Sequence, residues 1–336
     1  MRETTYVRSL NNALLDIFEK DESVFLIGED IIDPYGGAFK VSKTLSIRFP
    51  DRVICTPISE ACFVGVGAGM AMRGLKPIVE IMFGDFISLA ADQIVNHIAK
   101  FGQMYKDCVE VPIVLRTPMG GGRGYGPTHS QCLEKMFFGI PGLRIVAPSH
   151  FHDPGALLTY VTLNEKEPVI FIEAKSLYSH ELRLESDDVL SIGNEHDNCC
   201  YPVAIVKNFG NGMPDVLIIT YGGLSSLIEN ILVNMRNDEI NLICCLPSLI
   251  SSVPLSTIIN LVKSCGRVII IEEGAGPFGW GAEVSAMIYE YAFNTLLKPI
   301  RRIMALDSVI PASRQLEEFV LPNTEVIEAA IEGMLL

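Results

Sequence analysis

Along most of the chain, short apolar runs alternate with longer stretches in which apolar residues recur every three or four positions. The first stretch, Thr4–Lys20, predicts an amphipathic helix, and the run Val24–Ile27 after it predicts a buried strand. Further strands are expected at Val53–Cys55, Pro77–Met82, Pro112–Leu115, Leu143–Val146 and Pro168–Ile172. Helices are expected at Phe39–Phe49, Ala61–Arg73, Phe86–Gln103, Cys132–Gly139 and Asp153–Leu163. The strands are continuously apolar rather than alternating, which predicts a parallel sheet covered by helices on both faces.

The pattern breaks over Lys175–Pro214, which is polar and carries SDD at 186–188, NEHDN at 194–198 and GNGMP at 210–214. This stretch reads as a connecting region with one or two edge strands. The alternation then resumes, with strands at Val216–Thr220, Ile240–Cys245, Val268–Glu272 and Ile300–Ala305. Helices are expected at Leu224–Val233, Leu255–Lys263, Gly281–Tyr291 and Val326–Gly333. The expected organisation is a first α/β domain over 1–180, a linker over 181–213 and a smaller α/β domain over 214–336, both doubly wound.

Composition narrows this picture. The 336 residues are 49% hydrophobic with a mean hydropathy of +0.33, enough for two cores and for surface buried in an oligomer. A net charge of −14 and a pI near 4.9 repel nucleic acid and anionic membranes, so neither is an expected partner. No apolar run reaches membrane-spanning length, and the opening MRETTYVRSLNNALL lacks the apolar core of a signal peptide. Nine cysteines include the adjacent pairs Cys199–Cys200 and Cys244–Cys245, with no CxxC and no zinc-type Cys/His spacing. A soluble protein in a reducing compartment, the cytoplasm, is expected.

Candidate chemistry concentrates in Cys55–Gly74, CTPISEACFVGVGAGMAMRG. There Glu60 follows a short strand and opens a helix of small residues, which lets a backbone or a flat ligand approach closely. An acid among Ile58, Ala61, Cys62 and Phe63 is poorly solvated, which favours its protonated form and suits it to share a proton with a ring nitrogen. The alternative is a carboxylate that merely meets a helix dipole. The glycine-rich run Met119–Gly126 is no phosphate cradle, because GxxxxGK[ST] is absent and the run leads to Pro127 and Thr128 rather than into a helix. His129 beyond it is a candidate proton donor, or a surface or capping histidine. Phe83 and Phe86 at a strand end could stack a heteroaromatic ring or belong to the core, and Asp92 and His97 read as structural. Glu272–Gly281 reads as a strand-to-helix turn, with Trp280 serving packing or an interface.

In order, GED at 28–30, AFKVS at 38–42, TPISE at 56–60, Phe86 with the D-Q ending at 93, THSQ at 128–131 and PGLRIVAPS at 141–149 make a specific set. It resembles the beta chain of the two-chain thiamine-diphosphate-dependent 2-oxo acid dehydrogenases, a group that includes the pyruvate, branched-chain and acetoin enzymes. The resemblance runs over nearly all of residues 3–333 and is strongest in 24–174. It implies a transketolase-like pyrimidine-binding domain followed by a transketolase C-terminal domain.

The resemblance assigns Glu60 to the pyrimidine nitrogen of thiamine diphosphate, where a shared proton promotes the imino form that activates the thiazolium carbon. It places Ile58 beside the cofactor, stacks Phe86 on the pyrimidine and gives His129 a part in reductive acyl transfer to a lipoyl group. Magnesium would be held elsewhere, because the GDG motif that carries its ligands is absent from this chain. The resemblance therefore implies an alpha subunit with that motif, an α2β2 heterotetramer and a lipoylated acyltransferase as a further partner. A potassium-type site at the carbonyls of Ile113, Val161 and Asn164 occurs in some relatives.

Two segments depart from the family pattern: DSVIPAS at 307–313, and the loop carrying Arg123, Tyr125 and Pro127. Two other readings compete with acyl transfer. A split transketolase or acyloin-type carboligase would keep Glu60 and Phe86 without a lipoyl carrier, and a non-catalytic α/β binding protein would make Glu60 structural.

Overall fold

The computed structural model describes residues 4–106, 108–196 and 200–336. Cys199 of the first cysteine pair, the last two residues of the NEHDN motif and the first three residues of the chain lie outside that description. Two compact units are present, one comprising the chain up to Met119 with Met136–Val146 and Asp153–Leu182, the other comprising Gly120–Lys135, Ala147–His152 and Arg183–Leu336.

The first unit contains α1 (Tyr6–Lys20), β1 (Val24–Gly28), α2 (Leu45–Arg48), β2 (Val53–Cys55), α3 (Glu60–Met72) and β3 (Lys76–Glu80). It continues with α4 (Ala99–Met104), β4 (Val114–Met119), β5 (Arg144–Val146), α5 (Pro154–Leu163) and β6 (Val169–Ala174). All six strands are parallel, in the order β2-β1-β3-β4-β6-β5. The apolar stripe of α1, with Tyr6, Leu10, Leu14 and Ile17 buried, packs on α5. Asp153 caps α5 by accepting the Gly155 and Ala156 amides, and it also accepts the Ser9 hydroxyl at 2.6 Å.

Beneath the carboxyl edge of this sheet, Arg116 lies buried between Glu80 (2.8 Å) and Glu173 (2.6 Å), and Tyr178 donates its hydroxyl to Glu173. Removing one member would strand a buried charge, so the cluster locks β3, β4 and β6 together.

Three expected helices are corrected. Over 39–49 only Leu45–Arg48 is helical, because Lys40 and Thr44 adopt left-handed φ values of 62° and 71° and the Val41 and Lys43 carbonyls accept the Asn11 side chain. Over 86–103 the single expected helix is a succession of 3-10 (Gly84–Ala90), π (Gln93–Ile98) and α turns. Over 132–139 only Glu134–Met136 is helical, a single 3-10 turn in which Glu134 accepts the Tyr221 hydroxyl and Lys135 donates to the Ala275 carbonyl.

The second unit contains β7 (Ser191–Glu195), β8 (Val203–Lys207), β9 (Val216–Ile219), α6 (Ser225–Asn237), β10 (Leu242–Pro247) and α7 (Leu255–Cys265). It ends with β11 (Val268–Ala275), α8 (Trp280–Ala292), β12 (Arg301–Ala305), α9 (Arg314–Val320) and α10 (Thr324–Leu335). Its sheet runs β12-β11-β9-β10-β8-β7, parallel from β12 to β10 and antiparallel at the β8–β7 hairpin. Thus the polar region read as a connection supplies two strands to this sheet. Val216, Ile218, Cys244 and Ile269 pack against Ile228 and Ile331 in its core. The segment 147–152 joins this unit through Ala147 N–H to Ser248 O (2.7 Å) and through His150, which bridges Ser225 (2.8 Å) and Glu229 (2.7 Å). Among the described residues, no helix is long and apolar enough to cross a membrane.

Candidate functional site

In the first unit, β2, β1 and β3 are adjacent and parallel, so the residues that follow them share one edge. Glu29 follows β1, Glu60 opens α3 after β2, and Phe83 and Phe86 follow β3. The strand order reverses between β1 and β3, and such a switch point leaves a crevice outside the carboxyl ends of the strands. A Cβ on Gly28 would meet the Glu80 carbonyl at 2.6 Å, so glycine is required where β1 passes β3 just before Glu29.

Glu29 and Glu60 are both buried, and their side chains lie close enough to repel one another when charged. Burial first, then the negative charges of Glu60 and Asp30, push the Glu29 carboxyl up to about 7. Glu29 Oε1 is buried and has no hydrogen-bond partner. A buried carboxyl pair with an unspent oxygen is chemically suited to a polar heteroaromatic ring. Sequence reasoning placed Glu29 in a motif but gave it no role; its position directly after a buried strand was the available signal.

Phe86 is half-buried and meets Phe83 edge to face at 6.0 Å. Phe83 in turn meets Phe39 at 5.7 Å, and Phe39 stacks on buried Tyr178 at 4.9 Å. This aromatic ladder ties Phe86 to the core. Ile58, just ahead of Glu60, is 81% exposed. The inner side of α3 is tight, since a Cβ on Gly67 would meet Val79 at 2.9 Å and Ile113 at 3.0 Å. Its outer side, with Cys62, Val66 and Gly69, is open.

Ile113, Val161 and Asn164 also lie in the first unit. The Ile113 carbonyl accepts the Val169 amide at 2.9 Å. Val161 is in the last turn of α5 and Asn164 follows it, where helix carbonyls attract cations. The Lys76 ammonium already sits there, donating to the Leu163 carbonyl at 3.1 Å.

His129 belongs to the second unit. It is half-buried, with Thr128 Oγ1 3.0 Å from its Nδ1 and its own amide donating to Gly126 O at 3.3 Å. In the same unit a cavity of about 420 Å³ is lined by Pro127, Gln131, Cys132, Glu273, Leu306 and Val309, among others. Both segments that depart from the family pattern meet at this cavity. Glu134, which the sequence reading passed over, is buried in this unit with its hydroxyl donor Tyr221 at 2.7 Å. Burial pushes its carboxyl up to about 7.

The transketolase pyrimidine-binding domain family matches residues 2–181, and the transketolase C-terminal domain family matches residues 209–327. The chain is 33% identical over 339 residues to pyruvate dehydrogenase E1 component subunit beta-1, mitochondrial, of Oryza sativa, covering 98% of this chain and 86% of that one. It is 34% identical over 340 residues to the mitochondrial pyruvate dehydrogenase E1 component subunit beta of Saccharomyces cerevisiae, covering 98% and 88%. With acetoin:2,6-dichlorophenolindophenol oxidoreductase subunit beta of Cupriavidus necator it shares 30% identity over 339 residues, covering 98% and 96%. Among solved structures, a split-gene transketolase described as an inactive beta4 tetramer superimposes with a TM-score of 0.71 at 15% identity, covering 98% of each chain, and supports the fold alone.

Proposed function

The chain belongs to the transketolase-like family of beta subunits of two-chain, thiamine-diphosphate-dependent 2-oxo acid dehydrogenases, and from that premise we propose that it acts as such a subunit, in decarboxylation of a 2-oxo acid and transfer of the acyl group to a lipoyl carrier. The observation that carries the reading is the Glu29–Glu60 pair at the carboxyl edge of β1 and β2.

Thiamine diphosphate fits this edge: the buried, unpartnered Glu29 Oε1 calls for a polar ring, and the ladder ending at Phe86 offers an aromatic face. When bound, thiamine diphosphate supplies a nucleophilic carbon and an electron sink for decarboxylation. Glu60 holds the proton at the pyrimidine nitrogen, and Glu29, raised to about 7 by burial and by the Glu60 charge, keeps a second proton nearby. Phe86 orients the ring by stacking, and Ile58 covers it. In the second unit, His129 supplies the proton for acyl transfer to a lipoyl group.

The diphosphate and its magnesium need hard oxygen ligands, and this chain lacks the GDG motif. We place them on an alpha subunit, in an α2β2 assembly with a lipoylated acyltransferase as a further partner. The open side of α3 and exposed Ile58 support a covering partner. We assign a potassium-type ion to the carbonyls of Ile113, Val161 and Asn164, to be checked by thermal stabilisation in KCl against NaCl. The proposed boundaries are a pyrimidine-binding domain over 1–180, a linker region over 181–213 that carries β7 and β8 at one edge of the second sheet, and a C-terminal domain over 214–336. The free thiols among the described residues support a cytoplasmic setting.

The test is co-purification with the candidate alpha chain, titration with thiamine diphosphate and magnesium, and assay of a panel of 2-oxo acids with a lipoyl domain. Cofactor binding only when both chains are present, and turnover accelerated by the lipoyl domain, is the expected result. Turnover accelerated by a carbonyl acceptor instead would assign the chain to carbon–carbon bond formation. No cofactor binding with any partner would reduce it to a binding protein.

A further inference from the structure

The glycine-rich run contains five glycines in the seven residues Gly120–Gly126. Gly120, Gly122, Gly124 and Gly126 adopt left-handed φ values of 97°, 80°, 70° and 79°. Left-handed residues spaced in this way turn backbone amides into anion-binding concavities. The anions here come from the chain itself. Glu273 Oε1 accepts the Gly121 amide at 2.6 Å, and Glu317 Oε2, from α9, accepts the Gly124 amide at 2.7 Å. Glu317 is buried. The glycines are fitted to these carboxylates, since a Cβ on Gly120 would meet Glu273 Oε1 at 2.9 Å and one on Gly121 would meet Glu317 Oε1 at 3.0 Å. The base of the loop is closed by Gly120 N–H to Gln131 O at 3.4 Å, so His129 lies within the clamped segment.

We propose that Glu317, together with Glu273, is a positioning residue: a carboxylate clamp that orders the loop 120–131 and so fixes where His129 stands. A loop this rich in glycine loses much backbone freedom when it is ordered, and charge-assisted bonds to its amides are the means of holding it. The consequence for acyl transfer rests on the role of His129 proposed above; the ordering of the loop does not.

The clamp is tested in the complex with the alpha chain by hydrogen exchange over 120–131, alongside two assays: decarboxylation with an artificial electron acceptor, and acyl transfer to a lipoyl domain. E317A is expected to speed exchange across the loop at least tenfold. It should slow lipoyl transfer at least tenfold while decarboxylation stays within about twofold. E317Q keeps an acceptor oxygen in place and is expected to recover most of both losses. Unchanged exchange in E317A overturns the clamp. Equal loss in both assays, with a lower melting temperature and no recovery in E317Q, also overturns it, because Glu317 would then only support α9. Faster exchange in a complex whose wild type never acylates a lipoyl domain upholds the clamp and overturns the reading of the reaction alone.

Discussion

Glu29, directly after β1, and Glu60, the first residue of α3 after β2, are buried carboxyls close enough to repel one another when charged. Two carboxyls in that relationship cannot both be ionised cheaply, so the pair stores a proton near neutral pH. Glu60→Gln is expected to lower decarboxylation with an artificial electron acceptor by at least about 100-fold, the usual scale of a lost acid–base group. Circular dichroism should show the fold intact. Glu29→Gln should cost less and remove the break near pH 7 from the rate profile. A Glu60→Gln complex that decarboxylates normally would sink the proton-relay assignment.

His129→Ala separates the two half-reactions. Decarboxylation measured with an artificial oxidant should persist, while acyl transfer to a lipoyl domain should fall by about 100-fold. A loss of equal size in both assays would mark His129 as structural.

Glu134 links stability to pH. Its carboxyl is raised from 4.5 to about 7 by burial, so the folded chain holds that proton more tightly than the unfolded one. The resulting stability is complete below pH 4.5 and is lost as pH rises through 7, a loss of about 3 kcal/mol. Glu134→Gln keeps an acceptor for Tyr221 and removes the titration. Urea unfolding should show the variant matching wild type at pH 4.5 and exceeding it by up to about 3 kcal/mol at pH 8. A constant difference across that range would contradict the assignment.

The two sides of α3 respond oppositely to the same change. Gly67→Ala places a methyl 2.9 Å from Val79 and should destabilise the chain by about 1–3 kcal/mol. Gly69→Ala meets nothing within 4 Å and should stabilise the isolated chain by about 0.5–1 kcal/mol through helix propensity. Thermal melts of the two variants decide it. If α3 packs on a partner, Gly69→Ala should also weaken association, measurable by sedimentation.

Much of this was legible locally. The strand at Val53–Cys55 and the helix ending at Leu163 stand where the apolar runs place them. The motifs from Gly28 to Ser149 carried the family. Glu60 and Phe86 could be singled out from the sequence, because each follows a strand at an abrupt change from apolar to polar or small residues. Failures came where distant groups overrode local preference. Thr44 is left-handed although its neighbours favour helix, and Glu134 answers to Tyr221 rather than to the residues beside it.

The sequence by itself determined the two α/β sheets, the family and the acid at the mouth of α3, because hydrophobic period and short motifs are properties of neighbours along the chain. Only the tertiary structure decided that Glu29 faces Glu60, that residues 120–135 pack in the second unit and that Glu273 and Glu317 fill the glycine loop. Those pairings join residues up to 193 positions apart, and such contacts are chosen by packing and by the need to satisfy buried charge, which no local pattern records.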